Sequence, residues 1–317
     1  MLIALALAGA DALHAQAGYQ WTLAVPVGQH TPPAEWQDGF WPTGITPVPG
    51  PEGTLWMIDG SGVWSSPDAV TWSRVTDRVP FGGRAGVAAA FFDGKFWAVG
   101  GRSRDAPLQD VWFSTDGTTW RLATDGPRWL PRSHATLLVF KNQLWLLGGA
   151  GSHDLSDVWY SNNGINWYAA TGVAGWAPGP NPAAVVHGER MVVAGGSGEG
   201  GRATRNDVWV SEDGKTWNRL MSRADWPSRA AHGFASYHGR LWVIGGTRGR
   251  NRWLNDVWSS EDGVEWRSEA EPPWAPRAVD HVAVFDGRLW TFGGRVGAVE
   301  ERGARVGEIW FLDPVAP

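Results

Sequence analysis

The sequence contains no cysteine and very little lysine, and each shortage removes a class of chemistry. Without a thiol, the 317-residue chain can form no disulfide, thiolate metal site, cysteine nucleophile or cysteine-linked lipid anchor. Only 3 of its 27 basic residues are Lys, and 32 acidic residues outnumber them. The formal net charge of −5 argues against nucleic acid as a partner, because nucleic-acid-binding domains carry a basic excess.

Long apolar runs are also missing. The run at residues 1–10 is too short to cross a bilayer, which needs about 20 residues, so no stable membrane insertion is expected. The triplet Ala15-Gln16-Ala17 follows it at a distance typical of a signal-peptidase site. We therefore expect a signal peptide at residues 1–17, one domain at 18–317, and a secreted or periplasmic protein. The alternative is an apolar tail on a cytoplasmic protein, since no Lys or Arg precedes the run.

Glycine, proline and tryptophan are abundant, at 43, 21 and 24 residues. This composition favours strands and turns over helices. Because 43% of the chain is hydrophobic and only 19% is charged, a sizeable core can form.

A tripeptide ending in Trp recurs six times along the chain. The copies are Gly62-Val63-Trp64, Asp110-Val111-Trp112, Asp157-Val158-Trp159, Asp207-Val208-Trp209, Asp256-Val257-Trp258 and Glu308-Ile309-Trp310. Successive Trp residues are 48, 47, 50, 49 and 52 positions apart, a period typical of propeller blades.

Each unit contains four short apolar segments separated by turn residues. The pairs Asp93-Gly94, His238-Gly239 and Asp286-Gly287 are suited to the positive φ of a two-residue hairpin, as are Asp116-Gly117, Asp213-Gly214 and Asp262-Gly263. A Gly-Gly pair ends the second segment of five units. A four-stranded unit with two tight hairpins is typical of one β-propeller blade.

These units resemble Kelch repeats, the family that includes the central domain of galactose oxidase. The resemblance rests on Gly100-Gly101, Gly148-Gly149, Gly195-Gly196, Gly245-Gly246 and Gly293-Gly294 and covers nearly all of residues 18–317. The turns of the form SxDGxxW, as at Ser114–Trp120, look like a shortened sialidase Asp-box. Both families are propellers, so the resemblance implies that fold.

The two ends of the chain complement each other in this pattern. The last unit stops at Phe311-Leu312-Asp313 without a fourth strand, whereas Gly18–Leu23 copies the fourth-strand pattern GxxWxL. We therefore predict an all-β, six-bladed β-propeller with four-stranded antiparallel blades. Its N-terminal strand completes the last blade and removes an open sheet edge.

Seventeen of the 24 Trp residues occupy recurring strand positions and are predicted to pack between blades. Of the other seven, five recur before the next blade and are predicted to be architectural. Trp36 and Trp253 have no equivalents and are candidate sugar-stacking platforms.

Function is predicted on the face opposite the tight hairpins, where the longer connections emerge. Ten Arg residues lie in the connections between second and third strands, with only five acids: Arg102, Arg104, Arg202, Arg205, Arg248, Arg250, Arg252, Arg295, Arg302 and Arg305. Arg carries a planar fork suited to carboxylate or phosphate. The alternative is that these arginines are simply solvated or paired.

A second Arg set stands 13 residues before the second-strand Trp and forms a ring by register. Its members are Arg84, Arg132, Arg229 and Arg277, and they could hold an anionic ligand at the mouth of the central channel. Alternatively, they could pair across blades with Asp110, Asp157, Asp207, Asp256 and Glu308, which also share a register. Gly179 and Thr43 replace the Arg in two blades.

Several catalytic and cofactor sites are disfavoured. Without Cys, the chain cannot build the Tyr–Cys copper site that galactose oxidase chemistry needs. None of the four Tyr is well placed as a sialidase nucleophile. His134, His232 and His281 follow the Arg ring at different registers, so no three-His metal site is expected. No phosphate-binding loop is present, and no cofactor is predicted.

Two functions remain open. The leading hypothesis is a non-catalytic, monomeric recognition scaffold that binds a protein or an anionic glycan. The alternative is a sugar mutarotase or epimerase, because similar exported six-bladed Kelch proteins include sialic acid mutarotases. That chemistry needs a carboxylate and an Arg, which Glu199 with Arg202 or Arg205, or Glu300 or Glu301 with Arg302 or Arg305, could supply.

Overall fold

The computed structural model describes residues 18–26, 46–180, 182–198, 203–249, 252–279, 281–296 and 304–315. These residues form six four-stranded antiparallel sheets and no α-helix. No helix among them could therefore cross a membrane.

Each sheet is one blade, and the strands follow the chain order. Blade 1 contains β2 Thr46–Pro49, β3 Leu55–Asp59, β4 Gly62–Ser66 and β5 Ser73–Thr76. Blade 2 contains β6 Ala88–Phe92, β7 Lys95–Val99, β8 Val111–Ser114 and β9 Arg121–Thr124. Blade 3 contains β10 Thr136–Phe140, β11 Gln143–Ala150, β12 Asp154–Ser161 and β13 Tyr168–Thr171. Blade 4 contains β14 Ala184–His187, β15 Arg190–Ser197, β16 Thr204–Ser211 and β17 Asn218–Met221. Blade 5 contains β18 Gly233–Tyr237, β19 Arg240–Thr247, β20 Trp253–Ser260 and β21 Arg267–Ser268. Blade 6 contains β22 His281–Phe285, β23 Arg288–Val296, β24 Ala304–Pro314 and β1 Tyr19–Val25.

The ring closes as the sequence predicts. β1 pairs with β24, so that Trp21 lies opposite Leu312 and Leu23 opposite Trp310. The amide of Val315 donates to the carbonyl of Gly18 at 2.7 Å. The first strand of each blade contacts that of the next, and β22 contacts β2. The two ends of the described chain thus meet in blade 6.

The first hairpin of a blade is a two-residue turn, as predicted. In blade 2, Asp93 and Gly94 have φ of 51° and 68°. The second connection differs from the prediction, because in blade 2 it spans six residues and only Gly117 has a positive φ. The Ser114 hydroxyl and the Asp116 carboxylate hold this loop by accepting backbone amides at 2.7–2.8 Å.

The core consists of six clusters, one between each pair of neighbouring blades. The recurring indoles fill them. Trp145 is 3% exposed, and Trp226 in the connection before blade 5 is fully buried. The predicted roles of the strand and connection tryptophans are therefore confirmed for the residues that the structure describes.

Strand direction defines two faces of the ring. The hairpin face carries the turns between first and second strands and between third and fourth strands. The loop face carries the connections between second and third strands and between blades. Those predicted ligand-binding Arg residues that the structure describes belong to segments at the loop face or leading into it.

Candidate functional site

The second Arg set is built into the blades. Arg132, with a side chain 1% exposed, donates from Nη1 to the Gly148 carbonyl at 2.9 Å and to Asp157 Oδ1 at 2.7 Å. Its Nη2 donates to Asp157 Oδ2 at 2.8 Å, and that oxygen also accepts the Trp159 indole at 2.7 Å. The guanidinium carbon lies 5.4 Å from the ring centre of Trp129. The Arg132 guanidinium thus links the Gly-Gly turn to the acid and lies beside two indoles, one of which it reaches through that acid.

The arrangement repeats around the ring. The four pairs are Arg84–Asp110, Arg132–Asp157, Arg229–Asp256 and Arg277–Glu308. The pairing alternative therefore describes this set, with one correction: each pair lies within one blade, not across two. The reason is that the chain before a blade's first strand runs beside the end of its second strand.

Electrostatics stabilises these pairs in their charged forms. Burial would raise the pKa of the Asp256 carboxyl, but the hydrogen bonds and charge of Arg229 and the indole of Trp258 lower it overall. Burial lowers the pKa of the Arg229 guanidinium, and Asp256 opposes that shift. Each of the four guanidinium groups is nearly buried and already binds an acid of its own blade, which leaves this ring little capacity to hold a ligand. The buried Nε of Arg84 has no hydrogen-bond partner among the described residues.

Blade 4 solves the same problem with a different residue. Gly179 stands where blades 2, 3, 5 and 6 have Arg, yet Asp207 is buried and needs a cation. Arg205, two residues earlier on β16, donates to it from Nε and Nη2 at 3.0–3.4 Å. Register alone did not predict this substitution. The signal was available, because residues two apart on a strand share a face.

The loop-face arginines form a different population. Arg102, Arg104, Arg248 and Arg252 are exposed, and none has a carboxylate within 4 Å among the described residues. Blade 2 contributes the first two and blade 5 the others, in a short turn where the Arg248 amide donates to the Arg252 carbonyl at 3.0 Å. Arg205 adds a partly exposed guanidinium. The exposed guanidinium groups of Arg248 and Arg252 give the blade 5 connection a local positive charge on an acidic protein.

The remaining loop-face candidates are less exposed or lie outside the described residues. Trp253 and Arg295 are half-buried, and the backbone of Arg305 pairs with that of Arg295. The following predicted site residues lie outside the described residues: Trp36, Glu199, Arg202, Arg250, Glu300, Glu301 and Arg302.

The three histidines do not converge. His134 lies at the start of the inner strand of blade 3, where its amide donates to the Gly86 carbonyl of blade 2 at 2.8 Å. Burial and the charge of Arg102 lower the pKa of its imidazole. Burial lowers the pKa of His232 to about 3, so that side chain is neutral at physiological pH. No group of three or more metal-ligating side chains occurs in the described parts of the chain.

Six four-stranded blades in a closed ring, four of them held by a repeated Arg, acid and Trp cluster, define the class of this protein as a β-propeller. A sequence model of the Kelch motif matches residues 228–259, which include Arg229, Gly245-Gly246 and Asp256 of blade 5. With this match and the six-bladed ring, the chain is a six-bladed β-propeller that contains a Kelch motif in blade 5.

Solved structures extend the comparison only at the level of the fold. A structure of YjhT superposes with a TM-score of 0.68 at 14% identity, covering 85% of this chain and 94% of that one. Because 597 chains of solved structures match, the fold alone says little about activity. No curated protein matches the chain.

Proposed function

We propose that this protein is a recognition scaffold that binds an anionic macromolecule, an acidic glycan or an acidic protein surface, through the Arg-rich loop face. One observation carries the proposal: Arg102, Arg104, Arg248 and Arg252 are exposed without a carboxylate partner in the described structure, while the Arg ring below them is fully paired. A planar guanidinium left open to solvent can donate two parallel hydrogen bonds to a carboxylate, sulfate or phosphate.

The rest of the molecule suits this role. The blades are locked by buried indoles and ion pairs, so the connections can vary without disturbing the core. A rigid frame reduces the ordering cost of binding. The net charge of −5 makes the basic face a local feature, which favours orientation of an anionic partner over nonspecific attraction.

The test compares two variants with the same loss of charge. One changes Arg102, Arg104, Arg248 and Arg252 to Ala; the control changes Lys95, Arg121, Lys215 and Arg219, which lie at the hairpin face or on outer strands, to Ala. On a glycan array with sulfated, uronic-acid and sialylated glycans, and against polyglutamate as an acidic peptide probe, the loop-face variant should lose at least tenfold in affinity. The control should keep binding. Equal loss in both variants would mean that overall charge, not this face, is responsible.

The mutarotase or epimerase alternative stays a prediction. Its candidate carboxylates Glu199, Glu300 and Glu301 lie outside the described residues, and the five described acids at the start of the third strands are all paired with Arg. NMR of sugar anomerisation distinguishes the two functions. Acceleration by the purified protein over buffer would favour the enzyme, and no acceleration together with binding on the array would favour the scaffold.

Export is part of the same proposal. Residues 1–17 fit a signal peptide in sequence, and a glycan-binding role suits a secreted or periplasmic protein. Expressed in a bacterial host that exports it, the mature protein should begin at Gly18 by N-terminal sequencing. An intact Met1 on cytoplasmic protein would contradict export without affecting the binding proposal.

A further inference from the structure

A cavity of about 370 Å³ lies at the hairpin face of blade 5, away from the loop face. It is lined by Arg240, Glu261, Asp262, Glu265, Trp266 and Arg267. Its volume falls in the lower part of the range of small-molecule sites, roughly 300–1,000 Å³. Charged and polar side chains dominate its wall.

The cavity adjoins the seam where the ring closes. At other interfaces, the turn between third and fourth strands covers the preceding blade; a Cβ on Gly164 or Gly214 would collide with Trp97 or Trp145. Blade 6 has no such turn, because its third and fourth strands, β24 and β1, come from different ends of the chain. Tyr19 of β1 instead packs edge-on against Trp242 of blade 5 at 4.7 Å.

Blade 5 also carries a polar residue at a position that is aromatic in three other blades, whereas blade 1 likewise has a serine, Ser65, there. The residue after the third-strand Trp is Phe113, Tyr160 or Phe311 in blades 2, 3 and 6, and each ring packs on its neighbouring Trp at 5.0–5.5 Å. In blade 5 this residue is Ser259, which is fully buried. Three residues after the fourth-strand Trp, blade 5 has Glu269 where blades 2 and 3 have Ala.

A connected network fills this position. Arg240, only 9% exposed, donates from Nε to the Ser259 hydroxyl at 3.0 Å and from Nη1 to Glu261. Arg267 donates from Nε to Glu269 at 2.8 Å, and Ser259 donates to the same carboxylate. Charges in place of an aromatic contact cost desolvation, which the fold alone does not require in this blade. That cost points to a functional reason for the network.

The groups left over for a ligand are both donors and acceptors. Arg240 Nη2 and both terminal nitrogens of Arg267 make no hydrogen bond within the described residues. Glu261 and Glu265 are exposed and offer carboxylate oxygens, whereas Asp262 is occupied by the amides of its own turn. Two guanidinium groups with free N–H groups therefore line the cavity together with two carboxylates, of which Glu261 already accepts from Arg240 Nη1 through one oxygen.

This balance selects the chemistry of the ligand. A simple anion would meet the carboxylates, and a simple cation would meet the guanidinium groups. A hydroxyl can accept from the guanidinium and donate to the carboxylate at once. Neighbouring hydroxyls on a sugar ring offer this pair of functions repeatedly.

We propose that the blade 5 cavity binds a neutral saccharide of one or two rings, held by the free N–H groups of Arg240 and Arg267 and the carboxylates of Glu261 and Glu265. The site lies on the opposite face from the Arg-rich connections. It is therefore independent of the proposed function, and either can fail without the other.

The test is saturation-transfer difference NMR on the full chain with five probes: D-glucose, D-galactose, D-mannose, maltose and lactose. Glycine and L-glutamate serve as the zwitterionic and anionic comparisons. At least one sugar should saturate with a dissociation constant on the order of 1 mM, and neither amino acid should compete.

Two test variants have matched controls in other blades. Glu261→Gln is compared with Glu212→Gln, the same turn position in blade 4, and Arg267→Ala with Arg121→Ala, the residue after the fourth-strand Trp in blade 2. Each test variant should weaken sugar binding at least tenfold, and each control should stay within twofold. Because the Glu261 side chain is 75% exposed, that variant should fold normally, and thermal unfolding verifies this.

Three outcomes would overturn the proposal. The first is that no probe sugar saturates the protein at concentrations about tenfold above the expected dissociation constant, and the second is that a sugar binds but the test and control variants bind it equally well. The third is that glycine or L-glutamate binds more tightly than every sugar, which would assign the cavity to a different ligand class.

Discussion

Arg132 and its three equivalents show how a charged side chain becomes part of a propeller core. Each guanidinium lies beside an aromatic ring and pairs with a carboxylate. In blades 2, 3 and 5 it donates to that carboxylate through two nitrogens and also donates to a Gly-Gly carbonyl. Substitution of only one partner of such a pair is destabilising, because the other charge is then buried and poorly solvated. The repeated Arg–acid pair therefore has a structural role in these four blades.

Arg229→Met tests this role. The variant leaves Asp256 without its cation, and we expect a loss of about 3 kcal/mol in the free energy of unfolding, measured in urea. The double variant Arg229→Met with Asp256→Leu should recover part of the loss. Arg252→Ala, an exposed loop residue, should change stability by less than about 0.5 kcal/mol. An unchanged urea midpoint for Arg229→Met would contradict the structural role.

The same pair gives a pH dependence of known sign. The folded pKa of Asp256 lies below its unfolded value of about 3.9. Its stabilising contribution is therefore complete above about pH 4 and is lost as the pH falls through the folded pKa.

At the scale of elements, the turn between third and fourth strands is an interlocking device. Its Ser and Asp side chains satisfy the loop amides, and its Gly reaches the Trp of the preceding blade. Blade 1 has Ala69 at this position, with φ of 63°, packed in the cluster that contains Trp290. The turn thus needs a small residue and a left-handed backbone at one place.

Gly214→Ala separates these two requirements. Gly214 has φ of +71°, and an added Cβ would lie 1.9 Å from Trp145; Gly239 has φ of +69° with open space around it. Gly239→Ala should cost only the left-handed strain, about 1 kcal/mol. Gly214→Ala should cost about 3 kcal/mol or more because the indole must move. Similar urea midpoints for the two variants would show that the turn is not an interlock.

At the scale of the whole molecule, the seam in blade 6 decides whether the ring is closed. β1 supplies the outer strand of that blade, and Trp21 packs edge-on against Trp274 at 4.6 Å. The seam also determines which interface lacks a turn, and hence where the blade 5 cavity opens.

Deletion of residues 18–25 should therefore lower the melting temperature of the entire protein in one cooperative transition, because an unclosed ring exposes a sheet edge and the cluster around Trp310. Thr22→Ala, an exposed change on the same strand, should leave the melting temperature nearly unchanged. Calorimetry of both proteins measures this. A deletion variant that melts like the intact protein would rule out the closing role of β1.

The blade count, the closing strand and the buried tryptophans could all be predicted from the repeat pattern. These follow from local period and register: a repeat of about 49 residues fixes six similar sheets, and an incomplete last unit needs the strand pattern found at Gly18–Leu23. A repeated unit buries the same positions each time, so its core can be read from one copy.

Which arginines are paired and which are open to solvent could not be predicted from the repeat pattern, because it depends on the folded structure. Arg132 and Arg252 are the same residue type at the same end of the ring, yet one is 1% exposed and paired while the other is open to solvent. The blade 5 cavity likewise depends on Arg240 and Glu261, which are 21 residues apart in sequence and meet through a hydrogen bond. Charge pairing and cavities arise from distances between remote segments, and a repeat pattern contains no such distances.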